Sequence, residues 1–124
     1  KENDYISYKG KLKTADRLSV MGQYDCLILA SYTEGLPITL IECLSIGIPF
    51  ITTKVGAIDD LLIKHYPYIC KNDTTSIIYN LENFIRDFRN NRNLIKKIVI
   101  DNNVLFKNKY NYNNFEENIK KLIY

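Results

Sequence analysis

The chain has no tryptophan, one histidine, one methionine, three cysteines and three prolines. These scarcities exclude several chemistries. The lone histidine, His65, follows a helical pattern between Lys64 and Tyr66, so it forms no Ser-His-Asp set and reads as a surface residue. Cys26, Cys43 and Cys70 each lie in an apolar strand or helix pattern without C-x-x-C spacing. They read as buried free thiols, with no disulfide and no zinc site expected. A Gly-rich Walker loop is missing too. No apolar run approaches the roughly 18 residues of a membrane span, and Lys1-Glu2-Asn3-Asp4 carries no hydrophobic signal segment, so a soluble, cytoplasmic setting is expected. The charge excess is slight, +3 from 17 basic and 14 acidic residues, which gives no reason to expect nucleic acid as a partner.

What is present is ordinary globular material: 46% apolar and 25% charged over 124 residues, enough for one domain with a real core. Short apolar strand patterns recur at Tyr5–Tyr8, Asp25–Ala30, Ile48–Thr52 and Tyr68–Cys70. Helical patterns alternate with them near Thr14–Gln23, Pro37–Ile46 and Ala57–Lys64. This alternation predicts an α/β fold, a Rossmann-like parallel sheet with helices on both faces and sites at the C-terminal ends of its strands. After Asp73 the pattern turns helical. Thr74 or Thr75 is placed to cap a helix carrying Ile77, Ile78, Leu81, Ile85 and Phe88, followed by helices near 93–106 and 113–122, a C-terminal helical extension. Twelve asparagines fall between Asn80 and Asn118, and they read as compositional bias laid over amphipathic helices, because the apolar period survives.

The most informative stretch runs from Ala30 to Pro49. Cys26-Leu27-Ile28-Leu29-Ala30 reads as a buried strand, ended by the polar turn Ser31 to Gly35. Pro37 suits the first helical position, Gly47 a C-terminal cap, and Pro49 prevents the helix from resuming. The N–H groups of Ile38 and Thr39 are then left outside the helical ladder and point at whatever anion approaches. On the helical wheel Leu40, Ile41, Cys43 and Leu44 form one apolar arc, while Glu42 shares the other side with Thr39. Glu42 stands five residues past Pro37, roughly 7.5 Å along the axis. Glu34 stays at the loop end. A phosphate at the helix tip would therefore carry hydroxyls toward one carboxylate on each side, as the hexose and ribose of a nucleotide sugar do.

The same string resembles the donor-site signature of retaining GT-B glycosyltransferases of the group 1 or family 4 type, P-S-x-x-E-G-x-P-x-x-x-x-E-A-x-A-x-G-x-P. Ser31, Glu34, Gly35, Pro37, Glu42, Gly47 and Pro49 match it, and Thr53, Val55 and Gly56 match the T-x-V-G-G turn that follows. Ala30, Cys43, Ser45 and Ala57 depart from it, each with a small residue. Similarity extends over roughly residues 5 to 62, including Ile6-Ser7-Tyr8-Lys9-Gly10 and Tyr24-Asp25-Cys26-Leu27.

The resemblance implies that Glu34 acts as the catalytic-site acid at the donor sugar, and that Glu34, Gly35, Leu36, Pro37, Ile38 and Thr39 bind sugar and diphosphate. It implies that Glu42 binds the ribose and that Tyr8, Lys9 and Gly10 lie near the base. Gly35 would serve either a positive backbone angle or close ligand approach, which the residues alone do not separate. The implied partners are a UDP- or GDP-sugar and a glycan or lipid-linked acceptor, with no cofactor, no metal and no enzyme nucleophile. The expected role is bacterial surface polysaccharide or glycoconjugate synthesis.

Residues 1–124 would then be part of the C-terminal donor-binding domain. The upstream strands, the cationic residues that neutralise the diphosphate and the acceptor half would lie outside them, leaving the piece alone inactive. Lys96-Lys97, Lys107-Asn108-Lys109 and Lys120-Lys121 read as solvated helix surface, or alternatively as contact with an anionic membrane face. A GT-B-like sugar-nucleotide epimerase and a non-catalytic flavodoxin-like interaction module are the alternatives.

Overall fold

Among the described residues three short parallel strands carry the fold. The computed structural model describes residues 5–62, 64–111 and 113. Elements follow in the order α1 (Arg17–Met21), β1 (Leu27–Leu29), α2 (Ile38–Ile46), β2 (Phe50–Thr53), α3 (Ile58–Leu61), β3 (Ile69–Cys70), α4 (Thr74–Asn90) and α5 (Arg92–Lys109). β1 pairs with β2 from Leu27↔Phe50 to Leu29↔Thr52, and β2 with β3 through Thr52↔Ile69 and Thr53↔Cys70. The sheet order is β1-β2-β3. All four residues of β2 are buried, so both faces of the central strand are covered, which is why it reads as a continuous run rather than an alternation.

The core forms where this strand meets the helices. Leu40, Cys43 and Leu44 of α2 are fully buried, as the wheel predicts, together with Phe50, Ile51, Ile58 and Leu61. Tyr66 stacks on Phe50 with ring centroids 4.4 Å apart. Its hydroxyl accepts from Phe50 N–H (2.9 Å) and donates to Phe50 C=O (3.1 Å), so a side chain satisfies backbone groups at the start of β2. Tyr68 meets Phe84 of α4 edge-on at 5.4 Å and donates to Asp87 at 3.0 Å. A buried aromatic bridge thus joins sheet to helix while keeping its hydroxyl paired.

α5 packs along α2 and α4. Asn102, wholly buried, donates through Nδ2 to Ile48 C=O at 3.2 Å, and Asn103 donates to Ser45 C=O at 3.0 Å. These asparagines serve carbonyls at and just past the end of α2, where the helical ladder runs out of donors. Gly47 closes α2 in the left-handed conformation (φ 77°), as its sequence position predicts.

Several boundaries differ from the sequence reading. Residues Tyr5–Tyr8 form no strand and are not part of the described sheet, and Tyr5 and Tyr8 are over nine-tenths exposed. α1 spans Arg17–Met21 rather than Thr14–Gln23, and α3 is the single turn Ile58–Leu61 rather than Ala57–Lys64. Pro37 is the N-cap of α2, with extended ψ of 97°, one position before its predicted place. α4 is capped by Asp73, whose carboxylate accepts from Ser76 N–H at 2.7 Å, and not by Thr74 or Thr75. Such a cap contributes about 1 kcal/mol. α5 outruns the predicted 93–106 at both ends. The helix expected near 113–122 lies outside the described residues but for Asn113.

The cysteines occupy the interior: Cys43 and Cys70 are buried and Cys26 is partly so. Desolvation pushes the Cys26 and Cys43 thiols up to about 12 and raises Cys70 as well. All three therefore remain protonated near neutral pH, and the thiolate that reacts is scarce. Native protein at pH 8 is expected to take up iodoacetamide at these positions far more slowly than unfolded protein. Peptide mass mapping over time checks this, and equal rates in the two states would refute it.

Candidate functional site

The stretch from Ser31 to Pro37 leaves the C-terminal end of β1 and enters α2, at the edge where ligands bind in parallel α/β sheets. Two straps hold it. Thr53, the last residue of β2, donates its hydroxyl to Ser31 C=O at 2.6 Å. Ser31 in turn donates its own hydroxyl to Glu34 Oε1 at 2.6 Å, which fixes the carboxylate and leaves Oε2 for another donor.

The second strap is steric. Ala57 N–H donates to Gly35 C=O at 3.0 Å, and Gly56 (φ 59°) passes so close that a Cβ there would overlap Glu34 C=O and stand 2.7 Å from Gly35 C=O. The T-x-V-G turn is thus the seat of the acid-bearing loop. Gly35 itself has no positive φ and open space where a Cβ would stand. Of its two possible reasons, the backbone angle drops out and room for a neighbour remains.

At the helix start the ladder begins with Leu40 N–H, which donates to Pro37 C=O at 3.0 Å, followed by Ile41 at 3.4 Å. Ile38 and Thr39 N–H precede it, and no side chain caps this end. Leu36 and Ile38 are about half exposed, so the tip is open to solvent. A helix end of this kind favours anions by about 0.3–1 kcal/mol.

Glu42 sits differently from the wheel's simple outward view. It does face away from the sheet, yet α1 packs over it, leaving its side chain 16% exposed. Arg17 Nε lies 3.1 Å from Glu42 Oε1, while Oε2 is buried without a hydrogen-bond partner among the described residues. Glu34 and Glu42 therefore have separate immediate partners, Ser31 and Arg17. Arg17 was not singled out in the sequence, where nothing in its spacing marks it.

Tyr8, Lys9 and Gly10, the expected base-side residues, lie in an exposed segment outside any element. His65 is exposed in a left-handed conformation (φ 73°) and lines a cavity of about 260 Å³ with Tyr66, Lys97 and Asn102. That cavity lies before the start of β3, at the sheet end opposite to the acid-bearing loop. Among the described residues no group of three His, Cys, Asp or Glu side chains is placed to hold a metal ion. Among them, too, no helix is long and apolar enough to cross a membrane.

Comparison with known proteins bears on the whole arrangement. A family model described as "Glycosyl transferases group 1" matches residues 2–99, which include every element from α1 to α4 and the first eight residues of α5. A Bacillus subtilis (strain 168) protein named "Putative teichuronic acid biosynthesis glycosyltransferase TuaC" is 40% identical over 47 residues. That match takes in 38% of this chain and 12% of the relative's length.

Proposed function

We propose that this chain, which belongs to the group 1 glycosyl transferase family, is the donor-binding portion of a longer enzyme that transfers sugar from a nucleotide sugar to an acceptor hydroxyl with retention of configuration. The observation that carries this reading is the seat of the loop: Thr53, Ser31 and Gly56 together hold Glu34 beside an open helix N-terminus. In this reading the diphosphate lies at Ile38 and Thr39 N–H, the hexose lies against Glu34 and Gly35, and Glu42 takes the ribose.

The bond from the anomeric carbon to the phosphate oxygen breaks while the acceptor oxygen approaches on the same face. The acceptor proton passes to the departing diphosphate. Backbone dipoles aimed at that leaving group stabilise charge that grows during the reaction, the kind of interaction that lowers a barrier rather than only tightening substrate binding. Upstream cations and the acceptor-binding half belong to the remainder of the enzyme. The likeness to a teichuronic acid transferase favours a surface polysaccharide as product, made at the inner face of the cell membrane, with exposed lysines such as Lys96 and Lys107 of α5 turned to anionic lipid.

The test is incubation of the full-length protein with UDP- and GDP-sugars and a panel of glycan and lipid-linked acceptors, read by mass spectrometry and by the anomeric coupling constant of the product. Transfer with retention is the expected result. Epimerised nucleotide sugar without transfer would replace this reading with the epimerase, and absence of nucleotide binding would leave an interaction module.

A further inference from the structure

We infer that Arg17 governs access to Glu42, acting as a latch that nucleotide must open; the inference rests on the ribose role proposed for Glu42. With its side chain only 16% exposed, the carboxylate of Glu42 offers ribose hydroxyls little while the latch is shut. Oε1 is faced by Arg17 Nε at 3.1 Å, and Oε2 is closed to solvent. α2 is a regular helix closed at its C-terminal end by Gly47 and packed on the core through Leu40, Cys43 and Leu44, so Glu42 has a fixed base. Arg17 differs: it lies on the five-residue α1, and its side chain is 36% exposed. Of the two partners, Arg17 is the one with space to swing out.

The ion pair is also poorly made. Arg17 Nε is buried yet forms no hydrogen bond, so its N–H does not point along the line to Glu42 despite the short separation. Both a donor and an acceptor are thus left unsatisfied inside the contact, a state that costs free energy relative to pairing each of them. Outward rotation of Arg17 returns its guanidinium to water, and ribose hydroxyls arriving at Glu42 give the carboxylate the donors it lacks. Opening therefore costs little and nucleotide binding repays it. Until then the donor site is only fractionally competent, and the apparent affinity falls by that fraction.

A partly exposed pair of this type holds the closed form in about fivefold excess, so its removal is expected to tighten nucleotide binding by about fivefold. The sign is diagnostic. Arg17 is a cation near a site for an anionic ligand, so any direct phosphate contact, or a role in supporting the site, would make its loss weaken binding.

Isothermal titration of the full-length protein with UDP and GDP, on wild type, Arg17→Gln, Glu42→Ala and the double variant, reads this out. Arg17→Lys serves as a second variant should Arg17→Gln melt early; its flexible, strongly hydrated ammonium should give an intermediate gain. The expected pattern is tighter binding for Arg17→Gln, weaker binding for Glu42→Ala, and no further gain from Arg17→Gln once Glu42 is gone. Unchanged or weaker binding in Arg17→Gln, with Glu42→Ala still impaired, overturns the latch and leaves the ribose assignment standing. Unimpaired binding in Glu42→Ala removes the ribose assignment and the latch with it.

Discussion

Gly56→Ala is expected to lower the melting temperature of the full-length protein by about 10 °C and to abolish most sugar transfer. Two costs combine. A left-handed backbone (φ 59°) penalises any Cβ by roughly 1–2 kcal/mol. The new methyl would also overlap Glu34 C=O and crowd Gly35 C=O at 2.7 Å. Overpacking against backbone costs roughly 1–3 kcal/mol more, because backbone cannot rotate away as a side chain does. A total of roughly 3 kcal/mol corresponds to about 10 °C in a domain of this kind.

The loop can escape only by moving off its seat. That breaks the Ala57 N–H bond to Gly35 C=O and displaces Glu34 from the helix tip. Gly35→Ala is the matched control: with no positive φ and nothing within 4 Å of its Cβ position, it should melt within about 0.5 kcal/mol of wild type, while its methyl intrudes where the donor is proposed to lie. Thermal melts of both variants beside transfer assays decide the matter. A Gly56→Ala protein as stable as wild type would show that the turn is not the seat of the loop.

What the sequence disclosed follows from where the information lies. The stop at Gly47 and the apolar arc Leu40-Ile41-Cys43-Leu44 are local patterns, each with a single satisfying conformation, and the fold realises them. The run Cys26–Ala30, read as a buried strand, gives instead the edge strand Leu27–Leu29 with Ile28 half exposed, because burial depends on what covers the edge and not on the run itself. Residues Tyr5–Tyr8 carry a strand pattern equally well, but a strand needs a neighbour, and pairing is a property of the sheet rather than of the segment. The cap of α4 was a choice among adjacent candidates. Asp73 precedes Thr74 by one residue, and its carboxylate reaches Ser76 N–H, so the better acceptor takes the position.

Long-range polar partners were the least legible. Asn102 and Asn103 looked like members of an asparagine-rich background, yet they serve Ile48 and Ser45 across a separation of more than fifty residues. Only the meeting of α5 with the end of α2 selects these two from the twelve. Arg17 is a similar case. On the wheel Glu42 looks solvent-facing because the wheel contains α2 alone; with α1 laid over that face, the carboxylate is mostly covered and ion-paired. The motif identified the acid, and the structure supplied its neighbour.

The two acids are expected to fail in different ways when removed from the full-length protein. Glu42→Ala should weaken binding of the nucleoside diphosphate, since a carboxylate accepting ribose hydroxyls contributes about 2 kcal/mol, equivalent to roughly 30-fold in affinity. Part of that loss is offset because Glu42→Ala also removes the Arg17 pair that the nucleotide must open, so 30-fold is the upper end. Glu34→Ala should leave nucleotide affinity nearly unchanged, because its proposed contact is with the hexose and not with the nucleoside diphosphate. Its effect belongs in kcat.

Ser31 holds Glu34 Oε1 at 2.6 Å, so the carboxylate is already oriented before substrate arrives and spends no binding energy on ordering. As the departing diphosphate leaves a positively charged sugar, the attraction of a fixed carboxylate grows, and an interaction stronger in the transition state than in the ground state lowers kcat when it is lost. Ser31→Ala should then reproduce a smaller share of the same defect, because it releases the acid without deleting it. Calorimetry with UDP or GDP beside steady-state kinetics separates these effects. Normal turnover in Glu34→Ala would remove the acid from the sugar site, and a Ser31→Ala defect confined to KM would mean that the serine supports the loop but does not aim the carboxylate.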